Sequence, residues 1–312
     1  MERKHSKISI IGAGLVGATA AYAIATRKLV SELVVIDVNK DKAKGEAMDI
    51  SHGLVTMDAM NIHDGDYSEI ADSDVIVVTA GLGRKPGESR LDLAAKNIVI
   101  AKDIAANIAK YYNGGVVLVV ANPLDVFTYV IRKHSGLPAH CVVGTGTSLD
   151  SARFRYLLAR ELNVDTRNIH GFMSGEHGDS QFAVWSGVHV SGMPIDSYCE
   201  KKGIKLDKPA IENAVRTAGG EVIKLKGATF YAIASVVAEL CNVIIKNTRS
   251  VHNVSTLLED YHGISDVCIS VPAVLGINGV EEYVPYDYTE EETEKLRSSA
   301  KKMREFLDNL NI

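Results

Sequence analysis

The 312-residue sequence lacks both a long uncharged apolar run and a surplus of basic residues. No stretch of about 18 apolar residues occurs, so we expect no membrane-spanning helix. Residues 1–7 are polar and charged and glycines interrupt the apolar segment that follows, so we expect no signal peptide. Lysine and arginine number 34 against 39 aspartate and glutamate residues. Because binding to nucleic-acid phosphates or to an anionic membrane needs a basic surplus, this balance argues against both partners.

Cysteine is scarce, and the spacings that bind metals are missing. The four cysteines are far apart in the sequence, which predicts reduced core thiols of a cytoplasmic protein rather than disulfides or a zinc site: Cys141, Cys199, Cys241 and Cys268. No His-x-His or His-Glu-x-x-His occurs, so we expect no metal. The phosphate-binding Gly-x-x-x-x-Gly-Lys and the hydrolase Gly-x-Ser-x-Gly are absent as well, which excludes those two classes of enzyme.

Short apolar runs alternate with longer helical patterns through the first half of the chain. Nearly continuous apolar runs, typical of strands buried on both faces of a parallel sheet, occupy residues 8–11, 33–36, 75–79 and 116–120. Segments long enough for crossover helices lie between them, at residues 15–26, 41–56 and 91–112. This alternation predicts right-handed βαβ units.

The pattern changes after about residue 146. Long helical segments follow at residues 149–163, 208–225 and 229–247, with short strands around 182–190 and 267–274. The last helix begins with Thr289-x-x-Glu292, a capping box. We therefore predict two domains, residues 1–146 and residues 147–312.

The first chemical motif is the segment from Gly12 to Gly17, which has a third glycine at position 14. It follows a predicted strand and begins a helix, which is the context in which Gly-x-Gly-x-x-Gly binds the pyrophosphate of a dinucleotide. The second strand ends at Asp37, 20 residues after Gly17. A carboxylate there accepts a hydrogen bond from a ribose hydroxyl and repels a 2′-phosphate, so NAD is favoured over NADP.

Two segments follow the later strands of this half. Residues 80–90 contain Arg84 and Arg90 among three glycines, which fits a lid that carries charge to an anionic substrate and fits a solvated loop equally well. Asn122 follows the carboxyl end of the strand at residues 116–120, where its amide could bind a ligand or cap the next helix.

Three ionisable residues of the second half suit acid–base chemistry. Asp150 and Arg153 are three residues apart, so they share one face of a helix. Arg153 offers a two-pronged donor for a carboxylate, and Asp150 could orient a histidine. His177 lies between Gly175 and Gly178 and could transfer a proton near neutral pH. Taken alone, each of these residues also has an ordinary structural explanation.

Together these motifs resemble the L-lactate and malate dehydrogenase family, and the resemblance spans essentially the whole chain. It rests on segments that occur in the family's order: residues 12–17, Asp37, residues 87–90, Asn122-Pro123, residues 149–153 and residues 175–180. The resemblance implies an α/β fold in which a Rossmann doubly wound parallel sheet is followed by an α+β catalytic domain. It also implies a homotetramer or, in some members, a dimer.

The resemblance assigns a role to each of these residues. His177 is expected to exchange the proton of a 2-oxo or 2-hydroxy acid, Asp150 to hold its ring, Arg90 to polarise the carbonyl, and Arg153 to bind the carboxylate. Asn122 is expected to contact both substrate and cofactor. The expected NAD-binding residues are Gly12, Gly14, Val16, Gly17, Asp37, Lys42, Gly81 and Asn122.

The resemblance points to two different substrates. Arg84 stands where lactate-specific members usually have glutamine and malate-specific members have arginine. Glu88, in contrast, would repel the second carboxylate of oxaloacetate. Residues 226–229 resemble the segment that lines the substrate pocket of the lactate enzymes, in which Thr229 would limit the space for the substrate side chain. We therefore predict pyruvate and L-lactate as the substrates and keep oxaloacetate and malate as the alternative.

Two further cations resemble an effector site. Arg155 and His170 match the fructose 1,6-bisphosphate site of allosteric bacterial lactate dehydrogenases, where cations of neighbouring subunits meet. Unrelated surface positions are the alternative explanation. A non-catalytic NAD-binding protein is the competing function, but such proteins often lose the acid–base residue or the lid arginine, and this chain retains both His177 and Arg90.

Overall fold

The structure is a computed structural model that describes residues 6–83 and 90–312. Its strands, in chain order, are β1 (Lys7–Ile11), β2 (Glu32–Ile36), β3 (Asn61–Gly65), β4 (Val75–Val78), β5 (Val116–Val119), β6 (Val142–Gly144), β7 (Ile169–His170), β8 (Met173–Ser174), β9 (Phe182–Ala183), β10 (His189–Val190), β11 (Met193–Pro194), β12 (Ser250–Leu257), β13 (Cys268–Gly276) and β14 (Gly279–Tyr283). Its α-helices are α1 (Leu15–Thr26), α2 (Lys40–His52), α3 (Arg90–Tyr111), α4 (Leu124–Ser135), α5 (Ser148–Leu162), α6 (Ile195–Lys202), α7 (Lys208–Lys226), α8 (Tyr231–Lys246) and α9 (Glu290–Asn309).

The first six strands form a parallel sheet in the order β3-β2-β1-β4-β5-β6. This is the strand order of dinucleotide-binding sheets, and the direction of winding reverses between β1 and β4. Ligands of such sheets bind outside the carboxyl ends of the strands at that reversal. Gly12 and Gly81 follow these two strands, so the fold places both glycines at the expected crevice.

Helices cover both faces of this sheet. Apolar side chains of α3, α4 and α9 pack on one face, including the fully buried Ile104, Phe127 and Leu296. Apolar side chains of α1, α2 and α8 pack on the other, among them Ile24 and Leu240. A separate apolar cluster lies among α5, α6, α7 and the short strands that follow α5.

The second half of the chain adds three antiparallel strands to the same sheet. β12 pairs with β6 through Ser255 and Gly144, and β13 and β14 continue the sheet outward. The sequence analysis predicted part of β13 but neither β12 nor its attachment to the parallel sheet. Polar residues such as Asn253, Ser255 and Thr256 are buried in β12, so the segment has no continuous apolar run.

Many predicted elements agree with the structure. The helix predicted at residues 15–26 is α1, and the one at 41–56 is α2 followed by a 3₁₀ turn at Gly53–Thr56. The capping box of α9 is present, with Thr289 and Glu292 each accepting a hydrogen bond from the other's backbone N–H. The four cysteines are free and buried. None of the helices in residues 6–83 and 90–312 is long and apolar enough to cross a membrane.

Candidate active site

A buried carboxylate joins the two cations that the sequence analysis selected in the second half. Asp150, only 1% exposed, lies in the first turn of α5. Its Oδ2 is 2.6 Å from Nδ1 of His177, and its Oδ1 accepts a hydrogen bond from Nη1 of Arg153 at 3.1 Å. The predicted cluster of His177, Asp150 and Arg153 is therefore assembled in the structure.

The charges of this cluster shift the pKa values of its members in opposite directions. Burial alone would raise the pKa of Asp150, but the charges of His177 and Arg153 and their hydrogen bonds hold it below its usual range. Burial alone would lower the pKa of His177, but the charge and hydrogen bond of Asp150 raise it to about 9. The ring is therefore protonated at neutral pH while its partner is ionised.

The segment that carries His177 is held by the second half of the chain. Gly175 forms two backbone hydrogen bonds with Ser270 of β13 at 2.9–3.0 Å. The backbone N–H of Glu176 donates to Oγ of Ser299 in α9 at 2.8 Å. Gly175 has a φ of +90°, and a Cβ there would approach Oγ of Ser299 to 2.8 Å, so this turn favours glycine.

The first half contributes Asp125, to which the sequence analysis gave no role. It lies in the first turn of α4 and is 2% exposed. Its Oδ2 accepts a hydrogen bond from the backbone N–H of His177 at 2.7 Å. Spacing in the sequence could not reveal this contact, because 52 residues separate the two positions.

Asn97 is a second residue that the sequence analysis missed. This fully buried side chain of α3 accepts from the backbone N–H of Leu82 at 2.8 Å and donates to the carbonyl oxygens of Leu82 and Asn122. It thereby joins the segment after Gly81 to the end of β5. Asn122 itself is exposed at the carboxyl end of that strand, where its side chain is accessible to a ligand.

The glycines after β1 form a close turn that excludes larger side chains. Gly12 has a φ of +110°, and a Cβ there would lie 2.6 Å from the backbone nitrogen of Ala80. A Cβ on Gly17 would overlap the carbonyl oxygen of Gly12. Gly14 is the N-cap of α1 and has no side chain to cap the helix, so the first N–H groups receive no side-chain cap and could bind an anion.

Asp37 is fixed at the carboxyl end of β2, next to this turn. Its Oδ2 accepts from the backbone N–H of Ala13 at 2.7 Å and its Oδ1 from that of Asn39 at 2.9 Å. An adjacent cavity of about 230 Å³ is lined by Asp37 and other charged residues, Lys40, Asp66 and Asp103, and by the apolar residues Ile11, Ile36, Ala80, Ile100 and Ile104. A partly apolar cavity beside a fixed carboxylate fits the adenosine end of a dinucleotide.

The remaining predicted residues lie at several places. Val16 is in the first turn of α1, and Lys42 is exposed in the first turn of α2. Thr229 is half-buried in the loop between α7 and α8. Arg155 is exposed on α5 and His170 is exposed on β7. Arg84 and Glu88 lie outside the described residues, and Arg90 begins α3 but its side chain lies outside them.

One group of possible metal ligands lies at the opposite end of the sheet. Glu32, His63 and Glu69 bring their donor atoms within 4.8 Å of one another. Nζ of the buried Lys7 is 3.4 Å from Oε1 of Glu32 and 3.2 Å from Oε2 of Glu69. The ammonium group of Lys7 thus already balances the negative charge of the carboxylates that would otherwise attract a metal ion.

Two family models match the chain in succession. The lactate/malate dehydrogenase NAD-binding domain matches residues 6–144, and the lactate/malate dehydrogenase alpha/beta C-terminal domain matches residues 147–311. The fold is thus a Rossmann-like NAD-binding sheet followed by an α/β C-terminal domain.

Individual proteins are similar over nearly the full length. The chain is 43% identical over 309 residues to an L-lactate dehydrogenase of Acetivibrio thermocellus, covering 98% of both chains. It is 44% identical to L-lactate dehydrogenase 1 of Clostridium acetobutylicum, covering 99% of both. Solved structures include the L-lactate dehydrogenase of Clostridium thermocellum, at 48% identity and a TM-score of 0.88 over 97% of this chain and 99% of that one. The minor L-lactate dehydrogenase of Enterococcus mundtii gives 37% identity and a TM-score of 0.95 over 98% and 99%. The chain belongs to the lactate/malate dehydrogenase family.

Proposed function

We propose that this chain is an NAD-dependent L-lactate dehydrogenase, which interconverts pyruvate and L-lactate. The observation that carries the proposal is the buried Asp150, which holds a protonated His177 on one oxygen and Arg153 on the other. This arrangement supplies a proton donor and a carboxylate-binding cation side by side. Full-length relatives at 42–44% identity are L-lactate dehydrogenases, which supports pyruvate as the 2-oxo acid.

The first domain, residues 1–146, binds NAD in this proposal. Gly12, Gly14, Val16 and Gly17 would hold the pyrophosphate, because backbone N–H groups of α1 remain available there. Asp37 would accept hydrogen bonds from the ribose, and Lys42, Gly81 and Asn122 would contact the rest of the cofactor. When bound, the reduced nicotinamide supplies the hydride that the carbonyl carbon of the substrate receives.

The second domain, residues 147–312, supplies the proton and binds the substrate. The Nε2–H of His177 donates its proton to the carbonyl oxygen, because Nδ1 is held by Asp150. Asp150 stabilises the charged ring before transfer, and the ring is neutral afterwards. In the reverse direction the neutral ring accepts the proton from the hydroxyl group of L-lactate.

Arginine side chains complete the proposed substrate site. Nη1 of Arg153 donates to Asp150, which orients the planar guanidinium group for the substrate carboxylate. Gly219 of α7 faces this group, and a methyl group there would lie 3.7 Å from Nη2. Arg90 polarises the carbonyl as negative charge develops on its oxygen. Thr229 limits the space for the substrate side chain, and Arg84 approaches that side chain from the lid.

We extend the proposal to assembly, regulation and location. Arg155 and His170 are exposed, as a site between neighbouring subunits requires, and they bind fructose 1,6-bisphosphate in a homotetramer. The alternative is that they are unrelated surface cations. The four free, buried cysteines support a reducing compartment, and we place the enzyme in the cytoplasm.

Replacing the proposed proton donor tests the mechanism. The amide of His177→Asn can still donate to Asp150 but has no proton to release, so kcat for pyruvate reduction is expected to fall about 10²–10⁴-fold. NADH binding, measured by nucleotide fluorescence, is expected to stay close to that of the wild type. Turnover at the wild-type rate would remove His177 from the mechanism.

The raised pKa of His177 gives a prediction for pH dependence. Because the ring must be protonated to reduce pyruvate, kcat/KM for pyruvate is expected to be constant at neutral pH and to fall above about pH 9. Lactate oxidation needs the neutral ring and is expected to rise over the same interval. The ion pair with Asp150 stabilises the fold fully below the ordinary histidine pKa of 6.5, and this stabilisation is lost as the pH passes about 9. Rate profiles that change near pH 6.5 instead of pH 9 would contradict the assignment of the His177–Asp150 pair.

A comparison of substrates tests the identity of the 2-oxo acid. We expect kcat/KM for pyruvate to exceed that for oxaloacetate by at least about tenfold, which corresponds to about 1.4 kcal/mol of transition-state binding. Arg84→Gln should lower the remaining activity with oxaloacetate, because it removes the partner of the second carboxylate. A tenfold preference for oxaloacetate would instead identify a malate dehydrogenase.

The effector proposal is tested on the same assay. Fructose 1,6-bisphosphate is expected to lower KM for pyruvate severalfold, and Arg155→Gln to abolish that response without changing the activity measured in its absence. Arg160→Gln, which removes an exposed arginine from the same helix, is the matched control. An equal response in both variants, or none in the wild type, would leave Arg155 as an ordinary surface residue.

A further inference from the structure

Two carboxylates hold His177, and they contact different parts of the residue. Asp150 contacts the ring, whereas Asp125 accepts the backbone N–H at 2.7 Å. Asp125 belongs to α4, in the half of the chain that carries the nucleotide turn, and it is 2% exposed. The backbone of the reacting histidine is therefore anchored to the opposite half of the protein from Asp150.

The second oxygen of Asp125 is buried and has a single polar neighbour. Oδ1 and the fully buried hydroxyl group of Ser255 in β12 have no other hydrogen-bond partner, and Ser255 lowers the pKa of the carboxyl group, as a hydrogen-bond donor does. An ionised Oδ1 therefore depends on this one hydroxyl group, because an unsatisfied buried oxygen is costly. A protonated Oδ1–H could donate to Oγ of Ser255, so the surroundings accommodate the neutral form of Asp125 as well as the charged one.

Several groups on neighbouring elements face Asp125. Burial raises its pKa to about 7, while Ser255, the charge of His177 and the His177 N–H oppose the rise and Glu176 adds to it. The Asp125 charge also acts on Cys268 of β13, because burial together with that charge raises the pKa of the Cys268 thiol. In turn, the charge of Asp125 contributes to the raised pKa of the His177 ring. The two titrations are therefore coupled.

We propose that Asp125 is a positioning residue that anchors the backbone of His177 and, when ionised, favours the protonated ring. This inference rests on the proposed function, because it concerns the residue assigned as proton donor. Asp125 touches neither substrate nor cofactor in this proposal and acts only through His177. Its charge changes near neutral pH, so the His177 segment is held by an ionised partner above that pH and by a neutral one below it.

Asp125→Asn separates the anchor from the charge. The amide oxygen still accepts from His177 N–H and the NH₂ group can donate to Ser255, so the fold is retained while the negative charge is lost. The pH at which pyruvate reduction falls is expected to move down by at least about half a unit. KM for NADH is expected to be unchanged. Glu259→Gln, which removes an exposed carboxylate beyond β12, is the matched control and should leave the profile in place.

A titration of the ring distinguishes failure of this inference from failure of the proposed function. NMR of protein with isotope-labelled histidine follows the His177 ring without any substrate, and His177→Asn identifies its signal. A lower ring pKa in Asp125→Asn supports the proposal even if pyruvate is not a substrate. A reduced kcat with an unchanged ring pKa would mean that Asp125 has a purely structural role, and would overturn the proposal.

The wild-type protein gives an independent measurement if the variant does not fold. The backbone amide of His177 is bonded to Asp125, so its NMR signal is expected to titrate in two steps, near pH 7 and near pH 9. A single step that follows the ring alone would contradict the coupling.

Asp125→Ser, which also lacks the charge, should shift the ring pKa in the same direction as Asp125→Asn.

Discussion

The candidate active site depends on one buried carboxylate. Asp150 is 1% exposed, and burying an ionised group costs several kcal/mol unless charged partners offset it. His177 and Arg153 provide that compensation, one on each oxygen. Removing either partner would leave the charge of Asp150 incompletely compensated, at a cost of about 3–5 kcal/mol for a fully broken buried pair. The positive charge that the proposed proton transfer requires on His177 is thus also the charge that offsets the burial of Asp150.

The parallel sheet determines which residues can reach this cluster. The winding reverses between β1 and β4, and β5 ends beside them. Because carboxyl ends of parallel strands lie at one edge, the glycine turn after β1, Gly81 after β4 and Asn122 after β5 share that edge. The first turn of α4 follows directly, and Asp125 extends from it to the backbone of His177. The nucleotide-binding edge and the proposed proton donor are therefore connected by one helix turn.

The sequence predicted the parts of this fold that follow from local patterns. The four apolar runs are strands of the parallel sheet, Gly12 and Gly17 form the close turn, and the i, i+3 spacing placed Asp150 and Arg153 on one face of α5. It did not predict β12, because buried polar residues interrupt its apolar pattern. Nor did it predict the contacts of Asn97 and Asp125, which join segments 15 to 52 residues apart through single polar atoms. Such pairings depend on the folded chain and leave no periodic signal.

The two carboxylates around His177 illustrate how environment decides the charge of one residue type. Both are almost fully buried, but Asp150 has two cationic partners and its pKa is lowered, whereas Asp125 has mainly a backbone N–H and its pKa is raised to about 7. Diverging pKa values of neighbouring acids are typical of sites that transfer protons. The net charge of −5, in contrast, says little about the ligands of the chain. The cation that would bind an anionic substrate, Arg153, is balanced by an acid of its own, so a total charge cannot reveal it.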